Sequence, residues 1–255
     1  MTGSEGSAVE AVLARLTTDI VAVLGAELRG LYIYGSYVMG DFAPGRSDLD
    51  VLAVLAGDPT ERLKEELRAM HDAVATSHPC WRDRVEVEYV SSRALHQHKD
   101  ETHVMVRISP GEPLHLFPAS RHHLINWYNA RHHGTRLAGA EAADVLPDFT
   151  PAQLREVLGD HVAQWPEWVS EMSTPGRQAY AVLRVCRSLH VAREGRQVSK
   201  RQGARYAVEE LPEWAPLIEW AGAWWYGEGS DTEADRLPDV TAFVGHVCPR
   251  ILDEL

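Results

Sequence analysis

Residues 31–55 read LYIYGSYVMGDFAPGRSDLDVLAVL. An apolar run, Leu31 to Tyr34, leads into Gly35-Ser36. A Pro- and Gly-rich loop follows, and after an eleven-residue gap Asp48-Leu49-Asp50 opens a second apolar run, Val51 to Leu55. On a strand, residues i and i+2 share a face, so Asp48 and Asp50 are expected to project side by side from the start of one strand. Two carboxylates this close repel each other, an arrangement that a cation stabilises, and hard oxygen ligands of this kind select Mg²⁺. Gly35 lets backbone N–H groups approach a phosphate closely, and Ser36 adds a hydroxyl donor. The stretch predicts a site for a metal-bound nucleoside triphosphate.

Outward from this stretch, Val9 to Leu24 carries apolar residues at helical spacing and predicts a first helix. Pro59 to Thr76 places Leu63, Leu67, Met70 and Val74 on one face of a second helix that starts near Asp58. Residues 84–90, RVEVEYV, alternate strictly and predict a third strand, with Glu86 and Glu88 on one face and Val85, Val87 and Tyr89 on the other. Arg93 to Pro118 is polar and His-rich, and its pattern does not decide an element. His122 to His132 reads as a helix leading to a short strand near Arg136-Leu137. The texture changes at Leu146 to Pro151, where Thr150 caps a helix with Pro151 at its first position. Helices follow at about 151–164, 177–193, 200–210, 212–225 and 239–255, separated by Pro166, Pro175, Gly195, Gly227 and Pro238. The expected fold is an α+β N-terminal domain over residues 1–148, a small mixed sheet with helices, and an all-α helical bundle over residues 149–255.

A chain of 255 residues with 45% hydrophobic content has enough apolar surface for packed cores in both parts. The start, MTGSEGSAVEAVL, has no basic n-region, and no stretch approaches the ~20 apolar residues of a membrane helix. A soluble, cytoplasmic protein with no membrane partner is expected. Cys80, Cys186 and Cys248 are isolated, which argues against a disulfide framework or a structural zinc. The net charge of −12 excludes the basic footprint that a nucleic-acid partner needs and suits a cationic small substrate, although ordinary acidic solubilisation explains it equally. His96, His98, His122, His123, His132 and His133 lack a matching carboxylate or cysteine set, so they read as exposed histidines rather than a zinc site.

Gly-Ser, the gap and Asp-x-Asp between two apolar runs resemble the signature of the nucleotidyltransferase superfamily related to DNA polymerase β. That resemblance implies a third carboxylate from a neighbouring strand, serving as metal ligand or general base, with Glu86 and Glu88 as the candidates. The segments FTPAQLREVLGDHVAQWPEWVSEM and AVLRVCRSLHVAREGRQVSKRQGARYAVEELPEWAPLIEWA resemble the helical domain of the aminoglycoside adenylyltransferases that modify streptomycin and spectinomycin. The resemblance runs from Leu31 to the C-terminus and is weak between Ser91 and Ala119.

It implies Mg²⁺ on Asp48 and Asp50, the triphosphate of ATP at Gly35 and Ser36, and Glu86 as the base, since that family carries its base in a Glu-Val-x-apolar-Val strand. It further implies Lys200 and Arg187 as nucleotide contacts from the second domain, and Trp168 as the tryptophan that meets a cationic antibiotic. The family's acidic cluster after that tryptophan is degraded here to SEMSTPGRQ, leaving Glu167 and Glu171, with Glu88, as further substrate contacts. Trp165, Trp168, Trp224 and Trp225 suit a core equally well. The implied activity is transfer of AMP to an antibiotic hydroxyl by a monomer, with resistance as its consequence. Two alternatives keep parts of this chemistry: the same transfer to a hydroxyl on a protein or another small molecule, or a non-catalytic nucleotide-binding regulator. The intact Asp48, Asp50 and Glu86 argue against the latter.

Overall fold

The two apolar runs that flank the Gly-Ser turn become neighbouring strands at the centre of a six-stranded sheet. In the computed structural model, which describes residues 3–97, 103–227 and 229–255, the chain divides into two units, Met1–Asp148 and Phe149–Leu255. The first contains α1 (Gly3–Leu24), β1 (Leu28–Tyr34), β2 (Leu49–Leu55), α2 (Glu61–Ser77), β3 (Val85–Ser91), α3 (Ser92–Gln97), β4 (His103–Ser109), β5 (Glu112–Ala119), α4 (Leu124–His133), β6 (Thr135–Gly139) and α5 (Ala142–Val145). The strand order is β5-β4-β3-β2-β1-β6. Among the described residues only β2 and β3 pair in parallel, joined by α2 as the crossover.

Strand alternation divides the sheet into two chemically distinct faces. Leu31, Ile33, Leu49, Val51, Ala53, Val85, Val87 and Tyr89 pack against Val12, Leu16 and Ile20 of α1 and Leu67, Met70 and Val74 of α2. The intervening residues, Tyr34, Asp50, Glu86 and Glu88, must therefore point to the other face. The register places Asp50 opposite Glu86, and Tyr34 opposite Asp50.

Three expectations change. Thr60, not Asp58, caps α2, its side chain accepting from Leu63 N at 3.2 Å; Asp58 instead accepts a hydrogen bond from the Ser91 hydroxyl. The undecided segment after Arg93 forms α3 and the hairpin β4–β5. The first helix begins six residues earlier than its apolar pattern indicated, at Gly3.

In Phe149–Leu255 the regular elements among the described residues are helices: α6 (Pro151–Trp168), α7 (Pro175–Glu194), α8 (Lys200–Glu210), α9 (Ala215–Tyr226) and α10 (Leu237–Glu254), with short 3₁₀ turns between some of them. Thr150 with Gln153 and Ser199 with Gln202 form capping boxes that fix the starts of α6 and α8. Helix α6 continues past Gln164 to Trp168, with Pro166 inside the helix near its end. Helix α7 is the hub, packing against α8, α9 and α10. Its crossing with α8 is close: a Cβ on Gly203 would stand 2.7 Å from Arg187 Cα. Among the described residues, no helix is long and apolar enough to cross a membrane.

Candidate active site

The Gly-Ser turn and the acidic strand are built around each other. Gly35 has φ of 74°, and a Cβ there would lie 1.9 Å from Asp50 Oδ2. Only glycine meets both demands. The chain then coils tightly, Met39 N donating to Gly35 O at 3.1 Å and Asp41 N to Ser36 O at 3.0 Å. The loop that returns to Asp48 is closed by Ala43 N donating to Ser47 Oγ at 2.9 Å and Ser47 N to Ala43 O at 2.8 Å. Arg84, stacked 4.4 Å over the Trp81 ring, clamps Ser47 O with Nη2 at 2.7 Å and Nε at 3.0 Å. These contacts fix where Asp48 leaves the loop.

One oxygen from each of Asp48, Asp50 and Glu86 lies within 4.8 Å of the others. Three hard oxygen donors at that spacing fit Mg²⁺. Beside them, Ser36 Oγ and Tyr34 OH are buried with no protein partner. Buried hydroxyls in that condition suit a site that a ligand or its water completes. Burial, with Glu88, Glu86, Asp50 and Asp48 around it, pushes the Tyr34 phenol well above its ordinary pKa, so it stays a donor. Burial, then the charge of Glu88, pushes Glu86 up to about 7, against an opposing pull from Arg107. A carboxylate with a pKa near neutrality is matched to taking a proton at physiological pH.

Glu88 is a different group although it shares the face. It has no exposed surface. It accepts from Asn126 Nδ2 at 3.0 Å and Trp127 Nε1 at 2.9 Å, and meets His123 Nδ1 at 2.9 Å. Burial alone would raise its pKa; His123, Asn126 and Arg107 outweigh that and hold it below the ordinary carboxylate range. Glu88 therefore anchors α4 to the sheet, which corrects the expectation that it touches a substrate. His123 is likewise buried rather than exposed, stacked on Trp127. His96, His122, His132 and His133 are exposed, and His98 lies outside the described residues.

Comparison with known families resolves what this arrangement belongs to. Residues 20–110 match the family model of the nucleotidyltransferase domain, and residues 144–250 match that of the C-terminal domain of aminoglycoside adenylyltransferase. With a nucleotidyltransferase domain followed by an aminoglycoside adenylyltransferase C-terminal domain, the chain belongs to the aminoglycoside adenylyltransferase family. It is a nucleotidyltransferase. No curated protein sequence matches it. Among solved structures it is similar to spectinomycin adenyltransferase AAD(9) from Enterococcus faecialis, crystallised with ATP and spectinomycin, at 18% identity over 95% of this chain and 98% of that one, with a TM-score of 0.78. At that identity the likeness is one of fold.

In the C-terminal domain, Lys200 is the first residue of α8, and its Nζ lies 3.9 Å from the Trp225 ring centre and 5.1 Å from that of Tyr180. Arg187 is half-buried on α7, opposite Gly203. Trp168 is half-buried at the end of α6, edge-on to Trp165 at 5.5 Å and to His161 at 5.8 Å. Glu167 and Glu171 are exposed. Trp165 and Trp224 are core residues. The residues whose place at the site sequence reasoning missed are Tyr34, Arg84, Arg107 and, read there as exposed, His123. Tyr34 carried a signal, since it directly precedes the Gly-Ser turn; the other three are placed by contacts distant in sequence.

Proposed function

We propose that this protein transfers AMP from ATP to a hydroxyl of an aminoglycoside or aminocyclitol antibiotic of the streptomycin or spectinomycin kind, releasing pyrophosphate and so conferring resistance. The observation that carries the proposal is the meeting of Asp48, Asp50 and Glu86 beside the Gly35-Ser36 turn. The acceptor oxygen attacks the α-phosphorus, the bond from that phosphorus to the bridging oxygen breaks, and pyrophosphate leaves with the electron pair. Glu86 takes the acceptor's proton. Ser36 Oγ, with the backbone of the turn, holds the triphosphate. Asp48 and Asp50 would hold Mg²⁺, which when bound neutralises phosphate charge. From the C-terminal domain, Lys200 and Arg187 supply cations for the phosphates, and Trp168 with Glu167 and Glu171 meets a cationic sugar. The reading carries with it a cytoplasmic monomer.

A second reading keeps the transfer and changes the acceptor to a hydroxyl of another small molecule or a protein. The thin acidic character of residues 170–178, SEMSTPGRQ, favours it. Mass spectrometry of aminoglycosides incubated with the protein, ATP and Mg²⁺ tests both. A gain of one AMP on a drug, absent with Asp50→Asn, supports the antibiotic reading. ATP binding with no adduct on any drug shifts the assignment to another acceptor.

A further inference from the structure

The hairpin β4–β5 lies along the side of Glu86 away from Asp50, in the part of the chain where family resemblance is weakest. Arg107 Nη2 is 3.8 Å from Glu86 Oε1. The same Nη2 donates to Ser109 Oγ at 3.1 Å, and the Ser109 hydroxyl donates in turn toward Glu86 Oε2 at 3.4 Å. Both oxygens of Glu86 thus face a group from β4. Arg107 is itself held on the hairpin: Nη1 is 3.8 Å from Glu112 Oε2, and Cζ lies 5.6 Å from the Phe117 ring centre. Its side chain is only 20% exposed, so the guanidinium is a fixed feature of the site rather than a surface charge that solvent screens.

We infer that Arg107 and Ser109 are positioning residues that hold Glu86 toward Asp48 and Asp50. The inference rests on Glu86 being the base of the proposed transfer. Asp48, Asp50 and Glu88 surround Glu86 with negative charge on the same face of the sheet. Without a counter-charge, that repulsion favours a rotamer turned away from the acceptor. The guanidinium opposes the repulsion at one oxygen, and the Ser109 hydroxyl restrains the other. Neither residue touches the reacting atoms; they act through the angle and distance at which Glu86 meets the acceptor hydroxyl. Catalysis by a base is sensitive to that geometry.

The test pairs kinetics with structure for Arg107→Gln, Ser109→Ala and Arg107→Lys. The first two should lower kcat by about tenfold to a hundredfold while KM for ATP and acceptor stays within about twofold. Arg107→Lys, which keeps the charge, should recover most of the loss. A crystal structure of Arg107→Gln should show the Glu86 carboxylate turned away from Asp48 and Asp50. Glu86 unmoved in that variant overturns the inference, as does a kcat close to wild type in both neutral variants, a loss confined to KM, or a loss that Arg107→Lys does not lessen. A wild-type protein that transfers AMP to no acceptor removes the base reading itself; the position of Glu86 in Arg107→Gln then decides the clamp alone.

Discussion

Glu86 carries a cost that the metal site would relieve. Its pKa is raised from 4.5 to about 7, so the fold favours its protonated form. For a group with a raised folded-state pKa, the stabilising contribution is fully present below the unfolded value, here pH 4.5, and is lost as pH rises through about 7. The shift corresponds to about 3 kcal/mol. In chelator, wild type should therefore lose stability relative to Glu86→Gln between pH 5 and 8, by up to that amount, and urea denaturation of both proteins at the two pH values measures it. A constant difference between them across that range would mean that Glu86 is ionised without strain. At this scale the sequence was highly legible. Gly35, Ser36, Asp48 and Asp50 lie within sixteen residues, and strand alternation puts Glu86 on their face. What alternation does not report is what covers each position, and that is why Glu86 and Glu88 look equivalent in sequence and differ completely in the fold.

The contact that separates them belongs to the scale of elements. Helix α4 docks through the buried Leu124, Ile125, Trp127 and Ala130, and at its start His123, Asn126 and Trp127 direct polar atoms at Glu88. Removing a hydrogen-bond partner from a buried carboxylate leaves its desolvation uncompensated, at a cost of about 1–3 kcal/mol. His123→Ala should destabilise the protein by an amount in that range, and adding Glu88→Gln should restore part of it, since the stranded charge is gone. A double-mutant cycle read by denaturant unfolding measures the coupling; additive losses would mean that the two residues act independently. The same scale holds the largest gap between sequence and structure. Strand β5 carries Pro113 and Pro118, which break the pattern of a paired strand, yet β5 is an edge strand, where a missing N–H is tolerated. Its partner β4 exposes Val104 and buries His103, which inverts the expected alternation of polar and apolar residues. Arg107 was invisible to sequence reading for that reason, since its place depends on a hairpin whose strands do not look like strands.

For the whole molecule, the question is whether the C-terminal helices are a partner in nucleotide binding or only a folded neighbour. Helix periodicity, the Thr150 cap and the prolines made these helices readable to within about four residues at each end, because each signal is local. Their role is not local, and Lys200 is the residue on which it turns. At the start of α8, the half-buried Lys200 leans on Trp225 and Tyr180, which makes it a small contributor to the stability of its own domain, about 1 kcal/mol for a cation–π contact that is not fully desolvated. A hydrogen bond from its charged amine to a phosphate contributes more, about 1.5–3 kcal/mol. The two roles therefore separate in one variant. Lys200→Ala should weaken binding of a non-hydrolysable ATP analogue with Mg²⁺ by about tenfold or more, measured by calorimetry, while the unfolding midpoint without nucleotide barely moves. Unchanged affinity would assign Lys200 to its aromatic neighbours and leave the nucleotide to the N-terminal domain. A large fall in the midpoint would make any loss of affinity a consequence of a damaged helical domain.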